Sequence, residues 1–118
     1  MPSRPLLPLA AGLAALLAAT PAVLGAAVAQ ADEAPAPQRQ AELMHMVRQD
    51  CGSCHGMTMK GGLGRPLLPE DLAGKPLDAL AELVLNGIPG TPMPPWRSLL
   101  SEDEARWIVT RLTQGLDP

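Results

Sequence analysis

The sequence predicts a small all-α domain, because three of its stretches carry apolar residues at helical spacing. The second and third stretches are each followed by a glycine, Gly87 and Gly115, a residue that commonly ends helices. Nothing in the chain supplies the βαβ pattern of a parallel sheet. The apolar positions are Leu43, Met46, Val47 and Cys51 in the first helix; Leu77, Leu80, Ala81, Val84 and Leu85 in the second; and Ala105, Ile108, Val109 and Leu112 in the last.

The N-terminal quarter of the chain has the pattern of an export signal. After Arg4, residues 6–29 are nearly all Leu, Ala and Val, and they end in Ala27-Val28-Ala29, a small-x-small cleavage pattern. Cleavage is predicted after Ala29, with Ala31 as the alternative site. An uncleaved membrane anchor is the rival interpretation, but prolines and a glycine interrupt the stretch and alanine is only weakly apolar.

The predicted organisation is therefore a signal peptide over residues 1–29, a flexible lead-in over residues 30–37 and a folded domain over residues 38–115. Cleavage would leave 8 Lys and Arg against 12 Asp and Glu, a net charge of −4, so nucleic acid and anionic membranes are poor partners. The chain has no Phe and no Tyr, and so small a domain struggles to bury enough apolar area. A bound cofactor is expected to complete the core and to stabilise the native state.

The segment with the clearest chemical meaning is Cys51-Gly52-Ser53-Cys54-His55. Two thiols at positions i and i+3 can add to the two vinyl groups of one haem, and the adjacent imidazole can bind the iron. A Cys-x-x-Cys pair also serves as a redox or structural disulfide, and zinc would need four ligands, for which only His45 remains. The pattern favours one covalent haem c at Cys51 and Cys54, with His55 bound to the iron.

A second candidate ligand lies in the segment Gly90-Thr91-Pro92-Met93-Pro94-Pro95-Trp96. The Met93 thioether is a soft ligand that suits haem iron, and the flanking prolines stiffen the backbone that presents it. Trp96 has an apolar ring and one N–H donor, so it either bonds a haem propionate at the haem edge or packs beneath the loop. We keep both interpretations of Trp96.

Residues 56–64 contain four glycines, which indicates a loop whose backbone comes close to a neighbour or takes unusual angles. We expect that neighbour to be the porphyrin. Met57 and Met59 lie too near His55 in sequence to reach the opposite face of the iron easily, so both are interpreted as packing residues. His45 lies off the apolar stripe of the first helix and is interpreted as solvated.

The remaining elements follow from local signals. Residues 69–73 are predicted to form one helical turn, and Pro76 suits the first position of the next helix. Ser101 and Glu104 form a capping box that starts the last helix, which is predicted to run to about Gln114.

These segments together resemble the small class I c-type cytochromes, whose haem motif lies early and whose Met-Pro loop precedes a last helix. The resemblance covers residues 37–115. More narrowly, residues 49–58, the glycines of residues 61–64 and residues 92–96 resemble the NirC-type cytochromes found beside dissimilatory nitrite reductase. The resemblance implies a class I cytochrome fold, with His55 as proximal ligand and Met93 as sixth ligand.

In class I cytochromes the first and last helices cross at an aromatic position, to which Trp107 corresponds here; we interpret Trp107 itself as a core packing residue. A proline carbonyl in a Gly-Pro-x-Leu segment holds the ring of the iron-binding histidine in that family. This chain has Gly64-Arg65-Pro66-Leu67 instead. Either Arg65 or Pro66 is therefore expected to supply the carbonyl.

The resulting hypothesis is a periplasmic, monomeric electron carrier rather than an enzyme. Two axial ligands leave no open iron position for a substrate, and methionine ligation raises the reduction potential. The resemblance suggests dissimilatory nitrite reductase in denitrification as the redox partner, or a role in maturing the d-type haem of that enzyme. A haem enzyme or gas sensor would require Met93 to be displaced, and the sequence shows no distal acid-base residue.

Overall fold

The computed structural model describes Met1 and residues 34–116. In this part of the chain, helices joined by loops are the regular secondary structure. This observation agrees with the predicted all-α fold. The predicted signal peptide beyond Met1 and the lead-in before residue 34 lie outside the described residues. The elements are α1 (Pro37–Met46), a π-helical turn (Val47–Cys51), α2 (Gly52–His55), α3 (Pro69–Leu72), α4 (Leu77–Asn86) and α5 (Glu102–Gln114).

The first helix extends past Cys51, the last apolar position of its predicted stripe, because helical backbone continues from α1 through the π turn and α2 to His55. A step of four residues in an α-helix overshoots one full turn by about 40°. The wider π turn corrects that drift. Leu43 and Val47 are both buried, and Cys51, at the end of the π turn, is half-buried against the same core.

The core lies where α5 packs against α4, with α3 and α1 also contacting α5. Each buried aliphatic side chain contributes about 1.5–3 kcal/mol before conformational entropy is subtracted. Met59 belongs to this core although its φ is 58°, a left-handed angle that is unusual outside glycine. The buried apolar residues are Leu43, Val47, Met59, Leu72, Ala81, Leu85, Leu100, Ala105, Ile108, Val109 and Leu112.

Two predicted helix boundaries are wrong by one position. Pro76 is extended, with ψ of 130°, so it precedes α4 as the N-cap rather than occupying its first helical position. Ala73 likewise has an extended ψ of 134°, and α3 ends at Leu72.

The start of α5 confirms the predicted capping box and also ties α5 to α1. The Ser101 hydroxyl accepts a hydrogen bond from the Glu104 N–H at 3.1 Å, and the Glu104 carboxylate accepts one from the Ser101 N–H at 2.9 Å. A serine cap of this kind contributes about 1 kcal/mol. The second carboxylate oxygen of Glu104 accepts a 2.6 Å hydrogen bond from Arg39 of α1. One side chain thus caps α5 and joins the first and last helices.

The Arg39–Glu104 pair predicts a pH dependence of stability. The hydrogen bond from Arg39 is the main cause that holds the pKa of Glu104 below its usual range. Because folding lowers this pKa, the pair stabilises the protein above the unfolded-state pKa of about 4.3, and the contribution is lost as the pH falls through the folded-state value. Glu104→Gln should therefore lower the free energy of unfolding at pH 7, and the difference from wild type should narrow below about pH 4.

Denaturant unfolding of the haem-loaded wild type and Glu104→Gln, at pH 7 and below about pH 4, measures this difference in the free energy of unfolding. Asp103→Asn is the matched control, because it removes a charge from the same helical turn and leaves the Arg39 pair in place. A Glu104→Gln difference that stays constant with pH would contradict the prediction.

Candidate haem-binding site

Cys51 and Cys54 lie three residues apart in continuous helical backbone, so both side chains leave the same side of the helix. Both thiols are free and half-buried. Burial, followed by the charge of Asp50, raises the pKa of Cys51 to about 11. A redox-active Cys-x-x-Cys pair depends on a lowered pKa, which makes the thiolate available. The environment of Cys51 therefore argues against thiol–disulfide exchange as the role of this pair.

His55 is the last residue of α2, and its ring orientation is held by the backbone. Its Nδ1 lies 2.6 Å from the carbonyl oxygen of Arg65. A carbonyl can only accept a hydrogen bond, so Nδ1 must carry the proton, and Nε2 keeps the lone pair that can bind a metal. Of the two carbonyls left open by the sequence, the structure thus selects Arg65 rather than Pro66.

The glycine-rich loop folds back over the end of α2. The Gly61 N–H donates to the His55 carbonyl at 2.7 Å, and the Gly64 N–H donates to the Cys54 carbonyl at 2.8 Å. These bonds satisfy carbonyls that the helix end leaves without partners. A Cβ on Gly62 would lie 2.8 Å from the Cys54 carbonyl oxygen. The haem-motif helix is therefore one close neighbour of this loop, and the contact with the porphyrin expected from the sequence stays a prediction.

Gly64 also packs against the candidate iron ligand itself. A Cβ at this position would lie 2.7 Å from both Cε1 and Nδ1 of the His55 ring. Any side chain here would push the imidazole away from the Arg65 carbonyl. Gly64 and Arg65 thus set the position of His55; the sequence predicted a carbonyl from Arg65 or Pro66 but did not indicate that Gly64 packs against the ring.

Met93 is half-buried in a loop that closes on the end of α4. Its carbonyl accepts a 3.2 Å hydrogen bond from the Ile88 N–H, and its own N–H donates to the Thr91 hydroxyl at 3.3 Å. The same hydroxyl donates to the Ile88 carbonyl at 2.7 Å. The backbone at Met93 is therefore held by hydrogen bonds within the loop as well as by Pro92 and Pro94.

Trp96 lies at the end of the Met93 loop. Its ring is partly buried against the core, which agrees with the packing interpretation. Its backbone N–H donates to the carbonyls of Val84 and Leu85 at the end of α4. Its indole Nε1 is buried without a hydrogen-bond partner, and it is the one such side-chain atom found among the described residues. An unpaired buried donor costs about 1–3 kcal/mol, so Nε1 fits a site where a haem carboxylate can accept its hydrogen bond.

The other residues weighed as ligands lie elsewhere. His45 is exposed on α1, and Met57 is 60% exposed. Met59 is buried in the core, which confirms its interpretation as a packing residue. Trp107 also packs against the core from α5. Within residues 34–116, no group of three or more His, Cys, Asp and Glu side chains is arranged to hold a metal ion, so His45 does not join the cysteines and His55.

The residues present fit a haem. Two free thiols share one side of a helix, an oriented imidazole keeps a lone pair on Nε2, and a buried indole N–H lacks an acceptor. A helical domain with this arrangement, and with a methionine loop before its last helix, is a c-type cytochrome in its architecture.

Comparison with known proteins agrees with this class. The chain belongs to the family of c-type cytochrome domains described as cytochrome c oxidase, cbb3-type, subunit III, whose model matches residues 38–110. It is similar to cytochrome c55X of Pseudomonas aeruginosa, with 59% identity over 85 residues, 72% of this chain and 71% of the relative. It is also 58% identical over 78 residues to cytochrome c55X of Paracoccus denitrificans, covering 66% of this chain and 76% of that protein.

A solved structure of the c-type cytochrome NirC resembles this chain with a TM-score of 0.67 and 56% identity, covering 68% of this chain and 94% of that one. The predicted class I cytochrome fold and the resemblance to NirC-type cytochromes are thereby confirmed. The protein is a monohaem c-type cytochrome with covalently bound haem, and it transfers electrons rather than catalysing a reaction on a substrate.

A more distant similarity connects the chain to a larger protein. It is 39% identical over 90 residues to dihydro-heme d1 dehydrogenase of Pseudomonas aeruginosa, covering 75% of this chain but only 17% of that protein. A solved structure described as dihydro-heme d1 dehydrogenase NirN in complex with DHE matches with a TM-score of 0.57 and 33% identity, over 64% of this chain and 16% of that one. A domain like this one therefore occurs within a longer chain.

Proposed function

We propose that Cys51 and Cys54 hold the haem through thioether bonds, with His55 and Met93 as its axial ligands. The oriented His55 ring, with Nδ1 bonded to the Arg65 carbonyl, is the observation that carries this assignment. Trp96 Nε1 is assigned as a donor to a propionate. When bound, the haem supplies one-electron chemistry, and filling both axial positions leaves no iron site open for substrate.

The chain's own residues determine the environment of that electron exchange. Met93 is half-buried, and its loop is hydrogen-bonded to the end of α4, so the Met93 thioether would be held in place as a soft ligand for the iron. The core around Cys51 excludes water from one side of the motif. Small structural change between oxidation states favours fast electron transfer, and this rigid arrangement supports a carrier role.

We further assign the carrier to the periplasm and to denitrification, with dissimilatory nitrite reductase as its redox partner. The similarity to NirC and to cytochrome c55X supports this assignment, as does the pattern of an export signal over residues 1–29. None of the helices within residues 34–116 has the length and apolar character that crossing a membrane requires. The proposed mature form comprises a short lead-in over residues 30–37 and a monomeric cytochrome domain over residues 38–115.

A maturation role for the d-type haem is the second candidate, and the similarity to part of a dihydro-heme d1 dehydrogenase favours it. Dehydrogenating a dihydro-haem releases two protons and two electrons. A monohaem cytochrome accepts one electron, so two oxidised molecules would be consumed for each d-type haem formed. In this role, the same site would serve as an electron acceptor during assembly rather than as a donor to the finished enzyme.

Stopped-flow mixing distinguishes the two roles. A carrier in its reduced form should be oxidised by purified nitrite reductase in its oxidised form, one electron per molecule. The mature net charge of −4 favours a partner surface with Lys and Arg, so the rate should fall as salt screens the attraction. An assembly factor should react negligibly with mature reductase, and a strain lacking it should accumulate reductase without d-type haem. That second pattern would overturn the carrier role and leave the haem assignment intact.

A further inference from the structure

Gly87, the residue that ends α4, is buried directly beneath the Met93 loop. Its φ is +69°, an angle that side chains rarely adopt. A Cβ at this position would lie 2.7 Å from the Met93 carbonyl oxygen and 2.8 Å from the backbone of Pro94 and Pro95. These are backbone contacts, so rotating a side chain cannot relieve them.

The loop returns to α4 at several further points around Gly87. The Ile88 N–H donates to the Met93 carbonyl at 3.2 Å, and the Trp96 N–H donates to the Leu85 carbonyl at 3.1 Å. The Arg97 side chain also donates to the Asn86 side-chain oxygen, at 3.1 and 3.2 Å. The backbone that presents Met93 is therefore docked on the end of α4, and Gly87 occupies the closest approach.

We propose that Gly87 is a positioning residue for the sixth iron ligand. This inference rests on the assignment of Met93 as that ligand; Gly87 itself is not assigned a contact with the haem. Ordinary contact begins at 3.4 Å, so a methyl group at Gly87 would displace the Met93 carbonyl by about 0.7 Å, the difference between 3.4 and 2.7 Å. A shift of that size in the backbone strains the iron–sulfur bond, because prolines on both sides of Met93 limit local adjustment.

A matched control separates this effect from backbone strain. Gly74 has nearly the same angle, φ of +73°, but a Cβ there would meet no heavy atom within 4 Å. Gly74→Ala therefore imposes the same unfavourable φ without any displacement. Comparing Gly87→Ala with Gly74→Ala isolates the steric contact with the Met93 loop.

The test uses the haem-loaded protein and two readouts of the sixth ligand: the weak long-wavelength sulfur-to-iron band of the oxidised form, and CO binding by the reduced form. Gly87→Ala should lose most of the band and bind CO at least about tenfold faster than wild type. Gly74→Ala should match wild type in both. A Gly87→Ala protein with the wild-type band and CO rate would overturn the inference.

If Gly87→Ala yields no haem-loaded protein, Thr91→Val tests whether the docked loop positions Met93. It removes the hydroxyl that bridges the Ile88 carbonyl and the Met93 N–H, and so loosens the same closure without adding bulk against α4. Faster CO binding with a weakened band supports positioning by the docked loop, and wild-type behaviour overturns it. A wild-type protein without any sulfur-to-iron band would instead refute Met93 as the ligand and overturn the proposed site along with this inference.

Discussion

Replacing Cys51 or Cys54 with serine is expected to leave the chain without its full covalent attachment to haem and largely unfolded. Across the part of the chain that the structure describes, the core is built from aliphatic side chains and Met59, with the two Trp rings partly buried at its margin. So small a core gives only marginal stability by itself. A haem that binds only the native state is therefore expected to supply a large share of the free energy of unfolding. Both variants should therefore show little cooperative unfolding and rapid cleavage by protease.

Limited proteolysis and circular dichroism measure these effects, and haem-dependent peroxidase staining after acid–acetone extraction and denaturing electrophoresis reports the covalent bond. Ser53→Ala is the control, since Ser53 lies between the cysteines and is exposed. It should retain the stain and the wild-type transition. A Cys51→Ser, Cys54→Ser double variant that folds with wild-type stability and protease resistance would contradict the account.

Removing the thioether with Met93→Ala should abolish the sulfur-to-iron band, open the iron to CO or cyanide, and lower the reduction potential. Axial ligation sets haem potentials over a range of about 0.8 V, and methionine lies towards its high end. The decrease should therefore be one of the largest that any single substitution in this chain produces. Met93→Ala should retain its fold more fully than the cysteine variants, because the haem remains covalently attached to Cys51 and Cys54.

Potentiometric titration and the near-infrared edge of the oxidised spectrum measure this change. Met57→Ala is the matched control, because Met57 carries the same side chain on the glycine-rich loop and is 60% exposed. It should leave the band and the potential unchanged. An altered axial spectrum in Met57→Ala or His45→Ala, together with a silent Met93→Ala, would assign the sixth ligand elsewhere.

Local sequence signals predicted those parts of the fold that depend on local physics. The capping box at Ser101 and Glu104 formed as expected, because both partners lie within one helical turn. The apolar stripes of α4 and α5 likewise identified core residues correctly, including Leu85 and Ile108. In each case, the interacting residues are close in sequence.

The features that the sequence did not reveal depend on contacts between distant segments. The π turn ends at Cys51, which packs against a core formed by other segments, and no residue type in Val47–Cys51 signals such a turn. Met59 takes a left-handed angle that its residue type disfavours, and its side chain is buried in a core to which distant segments contribute. The choice of the Arg65 carbonyl for His55 depends on how the glycine-rich loop returns to α2.

Peptide mapping of the purified, denatured protein is the most direct test of the central claim, covalent haem at the Cys51–Cys54 pair. Trypsin cleaves after Arg48 and Lys60, so residues 49–60 form one peptide that contains both cysteines and His55. The account predicts that mass spectrometry finds this peptide with one haem attached through both sulfurs. Finding it without haem, with free thiols or an internal disulfide, would contradict the account.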